Sequence, residues 1–542
     1  MSKPWFEHYG EGVPHEIDAD EYTSVVEMLA EASDRYADKD AYSNFGGRLT
    51  FAETWAKSRD FAAYLQTELG VEKGDRVAVM LPNMMAFPVA MQGIIRAGGV
   101  QVNVNPMYTP RELEHQLNDA DAEIIVIFAG STPTLAKVID KTPVKTVIVA
   151  QLDDFIGRGI PDAPVADGLG ETTRLTDAVA KGAELEFKAP EIGGDDLIFL
   201  QYTGGTTGLS KGAMLTHRNL VANILQYSAF AGDRINRGDE VVMTAIPMYH
   251  IFALMVNTLT YYYFGGTAVL ITKPTDMAAF VEEWSKWQVT VFTGVNTLYN
   301  GLLHTPGFAD LDFSKLALAV GGGAPVQKAV SERWKAVTGK HIKEAYGLSE
   351  TSPALTINPL DNEDFLSSIG VPIPSTDISL RDEAGNEVPQ GEEGELCAKG
   401  PQVMKGYWRR DDATAEVMTD DGYFRTGDIA VMDKSGYFRI VDRKKDMILV
   451  SGFNVFPNEI EALVAGLDGV LECACVGVPD EKSGEAVKLF IVRKDDDLDA
   501  ATVKGYCREN LTGYKVPRQI EFIDALPKST VGKILRRELR DR

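Results

Sequence analysis

Two blocks of alternating strands and helices limit this chain to a small set of folds. The first block alternates buried strands with helices, at 75–82, 84–98, 100–105, 110–120 and 123–128. The second block repeats the pattern, with strands at 289–294, 316–323 and 341–347 and a helix at 327–339. Strand–helix alternation at this spacing predicts parallel sheets that are covered by helices. We interpret the two blocks as halves of one large domain.

The 542 residues are too many for one hydrophobic core, and length alone predicts three or four structural units. The weakly patterned stretch 151–190 is interpreted as a surface loop. After Ile369, short strands separated by Gly, Asn and Pro turns predict a β-rich subdomain. From about Met447 a compact mixed unit of helices and strands follows, long enough for a small domain. The polar run Asp442 to Asp446 is the best boundary between them.

The predicted fold class is therefore α/β. A large N-terminal domain (1–442) has two parallel or mixed sheets covered by helices, together with the β-rich subdomain. A hinge (443–446) connects it to a small, mobile α+β C-terminal domain (447–542).

The net charge of −25 argues against nucleic-acid binding and against electrostatic adhesion to anionic lipid. An anionic ligand would need local positive groups set against this background. Four cysteines give neither a disulfide framework nor a zinc-site spacing, so reduced thiols in a cytoplasmic protein are expected. The first residues lack the apolar core of a secretory signal.

One uncharged segment, Ile251 to Thr272, is long enough to span a bilayer. Polar residues, three tyrosines and the pair Gly265-Gly266 interrupt it. A buried helix, a glycine turn and a strand therefore fit better than a membrane span. We expect contact with membrane to be peripheral, on its inner face.

The stretch "QYTGGTTGLSKGAMLTH", Gln201 to His217, has the composition of a loop that wraps an anion. It is not the Walker A pattern, because Lys211 precedes a glycine instead of following one. Glycines allow backbone N–H groups to converge, while hydroxyls and one lysine supply further donors. These candidate residues are Thr203, Gly204, Gly205, Thr206, Thr207, Gly208, Ser210 and Lys211.

Five stretches, taken in order, resemble the adenylate-forming family of acyl-CoA synthetases, luciferases and peptide-synthetase adenylation domains. They are "YTGGTTGLSKG", "YGLSE", "YFRTGD", "DRKKDMILVSG" and "LPKSTVGKILRREL". The resemblance covers essentially the whole chain, including the two-domain division. Within the family the chain is most similar to bacterial long-chain fatty acid–CoA ligases, as in "VNVNPMYTPRELEHQLNDA" and "RIVDRKKDMILVSGFNVFPNEIE".

The resemblance implies a nucleotide site. The glycine-rich loop would bind the β- and γ-phosphates of ATP, while Thr203 and Glu350 would hold Mg²⁺. Asp428 would bind both ribose hydroxyls, and Arg443 would contact the nucleotide from the other side. The adenine and α-phosphate pocket would consist of Gly323, Ala324, Pro325, Glu344, Ala345, Tyr346, Gly347 and Ser349. Alone, Glu350 would be read as a surface residue and the Thr-Gly-Asp sequence as a turn.

The acyl substrate and the catalytic lysine are implied in the same way. His250 would lie beside the carboxyl end of the acyl chain, although a core histidine is the simpler interpretation of that residue alone. Phe252 and Leu254 would line an acyl tunnel. Lys533 resembles the lysine that stabilises charge during adenylation. Lys445 matches the hinge position, and Arg536 to Arg542 are interpreted as a solvated helix end.

The implied reaction converts a fatty acid, ATP and coenzyme A to acyl-CoA through an acyl-adenylate. Catalytic roles fall to Lys533, Glu350, Lys211 and His250. Two alternatives stay open at this stage. One is an adenylate-forming enzyme with another acceptor, such as a carrier protein or the oxygen of a luciferase-like reaction. The other is a non-catalytic lipid-binding relative. Homodimers are common among such enzymes.

Overall fold

The structure, a computed structural model, describes residues 3–203, 210–451, 453–480, 482–494, 497–530, 532–540 and 542. The glycine-rich loop residues Gly204, Gly205, Thr206, Thr207 and Gly208 lie outside these ranges.

Within the described ranges, the first strand–helix block forms an eight-stranded sheet. Its strands, in spatial order, are Gly406–Tyr407, Lys211–Thr216, Leu197–Thr203, Val100–Asn103, Arg76–Met80, Ile124–Phe128, Thr146–Ala150 and Thr172–Arg174. Helices cover both faces, since Val77 and Val79 pack into one hydrophobic cluster while Ala78 and Met80 pack into another. This two-sided burial is typical of parallel strands rich in valine and isoleucine.

The second block forms a nine-stranded sheet among the described residues. Its spatial order is Val371–Pro372, Ala354–Ile357, Ile342–Gly347, Leu318–Gly321, Val291–Gly294, Val241–Thr244, Thr267–Leu270, Asp40–Asn44 and Gly47–Thr50. Its central pairings are parallel, and the strands at both ends pair antiparallel. The predicted α/β class is confirmed.

Helices connect these strands, and several begin at a capping threonine. At Thr216, for example, the side-chain oxygen accepts from the backbone N–H of Asn219 at 3.2 Å. The α-helices are Val25–Arg35, Phe51–Thr67, Ala86–Arg96, Pro110–Ala120, Thr132–Ala136, Leu175–Gly182, His217–Ala231, Tyr261–Tyr263, Met277–Trp284, Asn296–Leu303, Lys328–Thr338, Asp411–Val417, Pro457–Val464, Ala500–Asn510 and Arg536–Arg540.

The sequence predicted that the stretch 151–190 is a surface loop, and this is only partly correct. The stretch contains the strand Thr172–Arg174 and the helix Leu175–Gly182. The helix packs so closely on Phe51–Thr67 that a Cβ at Gly182 would lie 1.8 Å from the Asp60 carbonyl oxygen. Its short length hid it, because only two turns of amphipathic pattern are present.

The uncharged segment forms a buried π-helix, Ala253–Thr260, then the helix Tyr261–Tyr263 and the strand Thr267–Leu270. The prediction of a core segment with a glycine turn is confirmed, although the π-helix was not foreseen. No helix within the described ranges is long and apolar enough to cross a membrane.

The β-rich subdomain is a four-stranded antiparallel sheet of described residues, Asp377–Arg381, Glu393–Lys399, Phe424–Met432 and Phe438–Arg443. Beyond Asp446 the chain forms a separate sheet. Its strands are Phe453–Val455, Ile448–Val450, Gly484–Arg493, Val470–Asp480 and Gln519–Phe522. The helices Pro457–Val464 and Ala500–Asn510 contribute to the hydrophobic core of this C-terminal unit. The chain passes from the β-rich sheet to this separate sheet between Arg443 and Ile448, at the polar run Asp442 to Asp446.

Candidate functional site

The two ends of the glycine-rich loop are fixed by an antiparallel pair of strands. Thr203, at the end of one strand, lies opposite Lys211, the first residue of the next. Ser210 is half-buried beside them, and its carbonyl oxygen lies 2.9 Å from His115 Nε2. The pairing brings a hydroxyl and an ammonium to the same edge of the eight-stranded sheet, where an anion could meet both.

Glu350 faces Thr203 across this edge. It lies in the short 3₁₀ turn Ser349–Thr351, and its buried Oε1 is 3.5 Å from Thr203 Oγ1. A carboxylate and a hydroxyl are the oxygen ligands that Mg²⁺ accepts when phosphates and water complete its coordination. Within the described ranges, no group of three or more His, Cys, Asp or Glu side chains is placed so that it could hold a metal ion. The donor set thus fits a nucleotide-bound Mg²⁺ rather than an all-protein metal site.

Tyr407 joins this group, although the sequence analysis did not identify it. Its hydroxyl donates to Glu350 Oε1 at 2.8 Å, and Lys211 Nζ lies 4.7 Å from its ring centroid. The residue belongs to a two-residue strand that no periodic pattern marks. The pairing of this short strand with the strand Lys211–Thr216 brings Tyr407 into the site.

Asp428 is the centre of a second polar group. Its buried carboxylate accepts from the Tyr346 hydroxyl at Oδ2, at 2.6 Å, and lies 3.2 Å from Arg443 Nε at Oδ1. Asp428 and Arg443 are directly opposite each other on neighbouring strands of the β-rich sheet. Burial and the neighbouring Asp428 carboxylate raise the pKa of Tyr346 well above its ordinary value, so the phenol stays a donor. The structure therefore brings these three predicted residues together.

A buried acid supports the loop that begins at the triple glycine. Glu344 Oε1 accepts from the Val326 backbone N–H at 3.3 Å, and burial raises the pKa of Glu344 to about 8. The carboxyl is consequently protonated near neutral pH. Ala324 is half-buried and Pro325 exposed in this loop. The predicted residues on the strand ending at Gly347 and on the turn after it are half-buried: Ala345, Gly347 and Ser349.

Lys533 reaches this loop from the C-terminal unit. Gly323 has a positive φ of 75°, and a Cβ there would lie only 3.1 Å from Lys533 Cε, so the lysine stem rests on bare backbone. The preceding residue, Gly532, accepts at its carbonyl oxygen from Thr297 Oγ1 at 3.0 Å. A third contact, from Asn105 Nδ2 to Thr530 Oγ1 at 3.2 Å, fixes the same tail.

The ammonium of Lys533 lies in a charged but poorly hydrated setting. Burial, followed by the Arg443 guanidinium, lowers the pKa of Lys533 from its ordinary 10.5 to about 8. Asp428 and Glu350 act in the opposite direction. One lysine thus lies within electrostatic range of all three of these predicted nucleotide ligands.

His250 occupies the start of the buried helical segment. Its Nδ1 accepts from the Phe252 backbone N–H at 3.3 Å, so the neutral ring carries its proton on Nε2. Burial, with the nearby Lys533 charge, lowers the pKa of His250 to about 3. Phe252 and Leu254 are buried, and Phe252 Cε1 would lie 3.1 Å from a Cβ on Gly322. The imidazole can therefore donate to an anion between this helix and the triple glycine.

Near the predicted hinge, one expectation from the sequence is wrong, namely that Arg536 is solvated. Lys445 is exposed in the turn after Arg443, as a hinge residue can be. Arg536, predicted to be solvated, is instead largely buried and lies 2.7 Å from Glu461 Oε2 and 3.7 Å from Asp442 Oδ1. A second arginine, Arg540, lies 2.7 Å from Asp446 Oδ1. A basic run looks solvated in sequence because its carboxylate partners are about 75–95 positions away.

Two models of known protein families match most of the chain. Residues 29–408 match the family described as AMP-binding enzyme, and 459–533 match the AMP-binding enzyme C-terminal domain. The chain is 52% identical to a long-chain-fatty-acid–CoA ligase of Escherichia coli O6:H1, covering 100% of this chain and 98% of that one. It is 46% identical, with the same coverage, to the corresponding ligase of Haemophilus influenzae.

Solved structures of other proteins share the fold of this chain. The ATP-bound MatB of Rhodopseudomonas palustris superimposes with a TM-score of 0.83 at 33% identity, covering 95% of this chain and 98% of that chain. A benzoate CoA ligase of Burkholderia xenovorans also reaches 0.83, at 27% identity.

Proposed function

The chain belongs to the AMP-binding enzyme family, and from this membership we propose that it is an AMP-forming long-chain fatty acid–CoA ligase. In the first step a fatty carboxylate oxygen attacks the α-phosphorus of ATP, and pyrophosphate leaves. In the second step the thiol of coenzyme A attacks the acyl carbon of the adenylate. AMP then leaves, and the thiol proton passes to solvent.

The observation that supports this proposal most directly is the position of Lys533. Its ammonium comes from the last few residues of the chain, yet it lies against Gly323 and within range of Asp428 and Glu350. A preorganised cation at such a place stabilises charge that develops between carboxylate and α-phosphate. The docked tail corresponds to an arrangement suited to adenylation.

The nucleotide groups have natural partners in the two polar clusters. The Asp428 carboxylate, held at both oxygens by Tyr346 and Arg443, is oriented to accept from two ribose hydroxyls through its remaining lone pairs. Lys211 would meet the terminal phosphates. Thr203 and Glu350 would hold the magnesium ion, which supplies neutralisation of phosphate charge when bound.

The acyl carboxylate would approach from the side of His250. A neutral imidazole with its proton on Nε2 donates a hydrogen bond without neutralising the nucleophilic oxygen. The apolar chain would then run along the buried π-helix past Phe252 and Leu254, where each buried methylene contributes about 0.8 kcal/mol.

In this proposal the second step needs Lys533 to leave, because the docked tail would block the approach of the coenzyme A thiol to the acyl carbon. A rotation of the C-terminal unit at Lys445 would remove it and open a path for coenzyme A. We propose 443–446 as the hinge.

A graded substrate series tests the function. The purified protein, MgATP and fatty acids of increasing chain length are assayed for pyrophosphate release, with and without coenzyme A. We expect pyrophosphate release that depends on long-chain acid, and AMP release that depends on coenzyme A. Adenylation without any response to coenzyme A would favour a carrier-protein acceptor or a luciferase-like reaction. Absence of pyrophosphate release with every acid would favour a non-catalytic relative.

We also propose that the enzyme works at the inner face of the membrane, where long-chain acids partition. The net charge of −25 makes a strong electrostatic attraction to anionic lipid unfavourable, so contact should be reversible. Extraction of membrane pellets with salt or carbonate should release the protein, and its retention would contradict this proposal.

A further inference from the structure

Tyr407 is held in place by backbone hydrogen bonds on both sides. The strand Gly406–Tyr407 pairs with Lys211–Thr216, with Tyr407 opposite Ala213. The Trp408 backbone N–H donates to the Gly212 carbonyl oxygen at 2.8 Å. This pairing fixes the main chain at Tyr407 and therefore the point from which its side chain leaves the strand.

The side chain contacts two groups of opposite charge. The tip of Tyr407 donates to Glu350 Oε1 at 2.8 Å, and the ring face lies 4.7 Å from the Lys211 ammonium. The same segment also fixes the Glu350 backbone, since the Met404 N–H donates to the Glu350 carbonyl oxygen at 2.8 Å. Glu350 is thereby constrained at its main chain and at its carboxylate by residues 404–407.

We propose that Tyr407 is a positioning residue for the magnesium–phosphate end of the site, orienting the Glu350 carboxylate through its hydroxyl and the Lys211 ammonium through its ring. This inference rests on the proposed function, because it assigns those two groups to magnesium and to the terminal phosphates. Without the tyrosine, the carboxylate loses a hydrogen-bond donor and the ammonium loses the ring face beside it, so neither group is held in one orientation. Each would then be less available to the nucleotide.

Removing the hydroxyl of Tyr407 and removing its ring should affect different properties, the magnesium requirement and the affinity for nucleotide. A hydrogen bond to a charged group corresponds to about a tenfold change in an equilibrium constant. In Tyr407→Phe the ring stays under Lys211 but the carboxylate is released, so the magnesium requirement should change most. In Tyr407→Leu the ring is lost as well, and a partly exposed cation–π contact adds about a threefold loss of nucleotide affinity.

Calorimetric titration of the full-length protein with ATP, at a series of magnesium concentrations, measures both effects without turnover. For Tyr407→Phe we expect about tenfold more magnesium for half-maximal tightening of ATP binding, with affinity in chelator nearly unchanged. For Tyr407→Leu we expect affinity in chelator to fall too, by about threefold.

Tyr423 offers a matched control. Its hydroxyl donates to Asp377 Oδ2 at 2.8 Å, and Arg381 lies 4.5 Å from its ring centroid, on the β-rich sheet. Tyr423→Phe removes the same kind of bond, from a phenol to a carboxylate, at a more exposed position outside the Glu350 cluster. We expect its magnesium requirement to match that of the unmodified protein, while urea unfolding reports any shared effect on stability.

The double variant Tyr407→Phe with Glu350→Gln completes the test. If Tyr407 acts through Glu350, the double variant should need no more magnesium than Glu350→Gln alone. Additive effects would overturn the proposal, as would a normal magnesium requirement in Tyr407→Phe or an equal change in Tyr423→Phe. If the unmodified protein binds MgATP but activates no fatty acid, the proposed function fails while these binding results still decide the role of Tyr407.

Discussion

Lys533 shows how one side chain can be both a long-range contact and a chemical group. Its stem lies on Gly323, and its ammonium is influenced by Arg443, Asp428 and Glu350. Cations are normally expensive to bury, and the lowered pKa reflects that cost. The carboxylates of Asp428 and Glu350 offset part of that cost, and phosphates of a nucleotide bound at the proposed site would offset more.

Lys533→Ala should therefore separate the two half-reactions. We expect acyl-adenylate formation to fall about 10²- to 10³-fold, since one preorganised charge at a developing anion is lost. Supplied acyl-adenylate and coenzyme A should still give acyl-CoA at close to the normal rate. Rapid-quench assays of each half-reaction measure this. Equal slowing of both steps would make Lys533 a general structural residue.

The lowered pKa of Lys533 also predicts a pH profile. Adenylation needs the ammonium, so kcat/KM for ATP should fall as pH rises through about 8, where the free enzyme loses that proton. Lys533→Arg, whose guanidinium stays charged, should lack this falling limb even at a lower rate. A profile of the variant that falls at the same pH would assign the limb to another group.

The same pKa has a stability consequence of known sign. The unfolded lysine titrates near 10.5 and the folded one near 8, so the unfolded chain binds more protons between these values. From this group alone, the free energy of unfolding rises with pH across that window.

At the residue scale, the sequence identified groups that lie within contiguous motifs and missed those defined by distant partners. Asp428, Tyr346 and Arg443 were each predicted and do meet. Tyr407 was not identified and Arg536 was expected to be solvated, because nothing local in the sequence marks their pairing with Glu350 and Glu461.

At the scale of elements, the alternation of strands and helices could be predicted, because apolar residues recur at a different spacing in strands and in helices. The π-helix Ala253–Thr260 could not, since its residues are buried all round and no polar face gives a period. Its hydroxyls bond within the helix instead, as when Thr258 Oγ1 donates to the Ala253 carbonyl oxygen at 3.0 Å. Such helices occur frequently at functional sites.

The π-helix gives a chain-length prediction. Leu254 is fully buried, so Leu254→Trp should intrude into any tunnel along this element. We expect activity on long-chain acids to fall several-fold more than activity on short ones, because only long chains must pass the added ring. Relative kcat/KM over a chain-length series measures this. Leu298→Trp, in the separate cluster behind the second sheet, is the control. Equal losses at every length would place the tunnel elsewhere.

At the scale of the whole molecule, the order of strands within each sheet was beyond the sequence. The hairpin Asp40–Thr50 joins the edge of the second sheet beside Thr267–Leu270, more than 200 positions later. Hydrophobic patterns specify which residues face a core but not which strands become neighbours. The division into two blocks and a small C-terminal unit stays a prediction from the order of strand and helix patterns along the chain.

The proposed hinge predicts the reverse of the Lys533 result. Lys445→Pro fixes φ at one value and should hinder rotation of the C-terminal unit. With the C-terminal unit held in its docked position, acyl-adenylate should form at near the normal rate. Transfer to coenzyme A should slow about 10-fold. Lys444→Ala, one position earlier in the same exposed turn, serves as the control. If Lys445→Pro slowed adenylation and left transfer intact, the hinge would lie elsewhere.

Arg536 is one of the residues that connect the C-terminal unit to the rest of the molecule. This arginine contacts Glu461 within the unit and Asp442 on the last strand before the hinge. Asp442 is fully buried, and burial raises its pKa to about 6 even with Arg536 nearby. Removing the arginine alone would leave buried carboxylates without their counter-charge. Such a loss typically costs about 3–5 kcal/mol.

Arg536→Met should consequently lower the urea midpoint of the C-terminal unit, and loosened docking should weaken adenylation. Arg540→Met is the matched control, because Arg540 is more exposed than Arg536 and its salt bridge is to Asp446. We expect a much smaller loss there, about 1 kcal/mol or less. The Arg536→Met loss should shrink as pH falls towards 6, because without the guanidinium the pKa of Asp442 rises further and its carboxyl takes up a proton before that of the unmodified protein, which titrates at about 6. Equal destabilisation by the two variants at every pH would show that the buried cluster does not hold the unit in place.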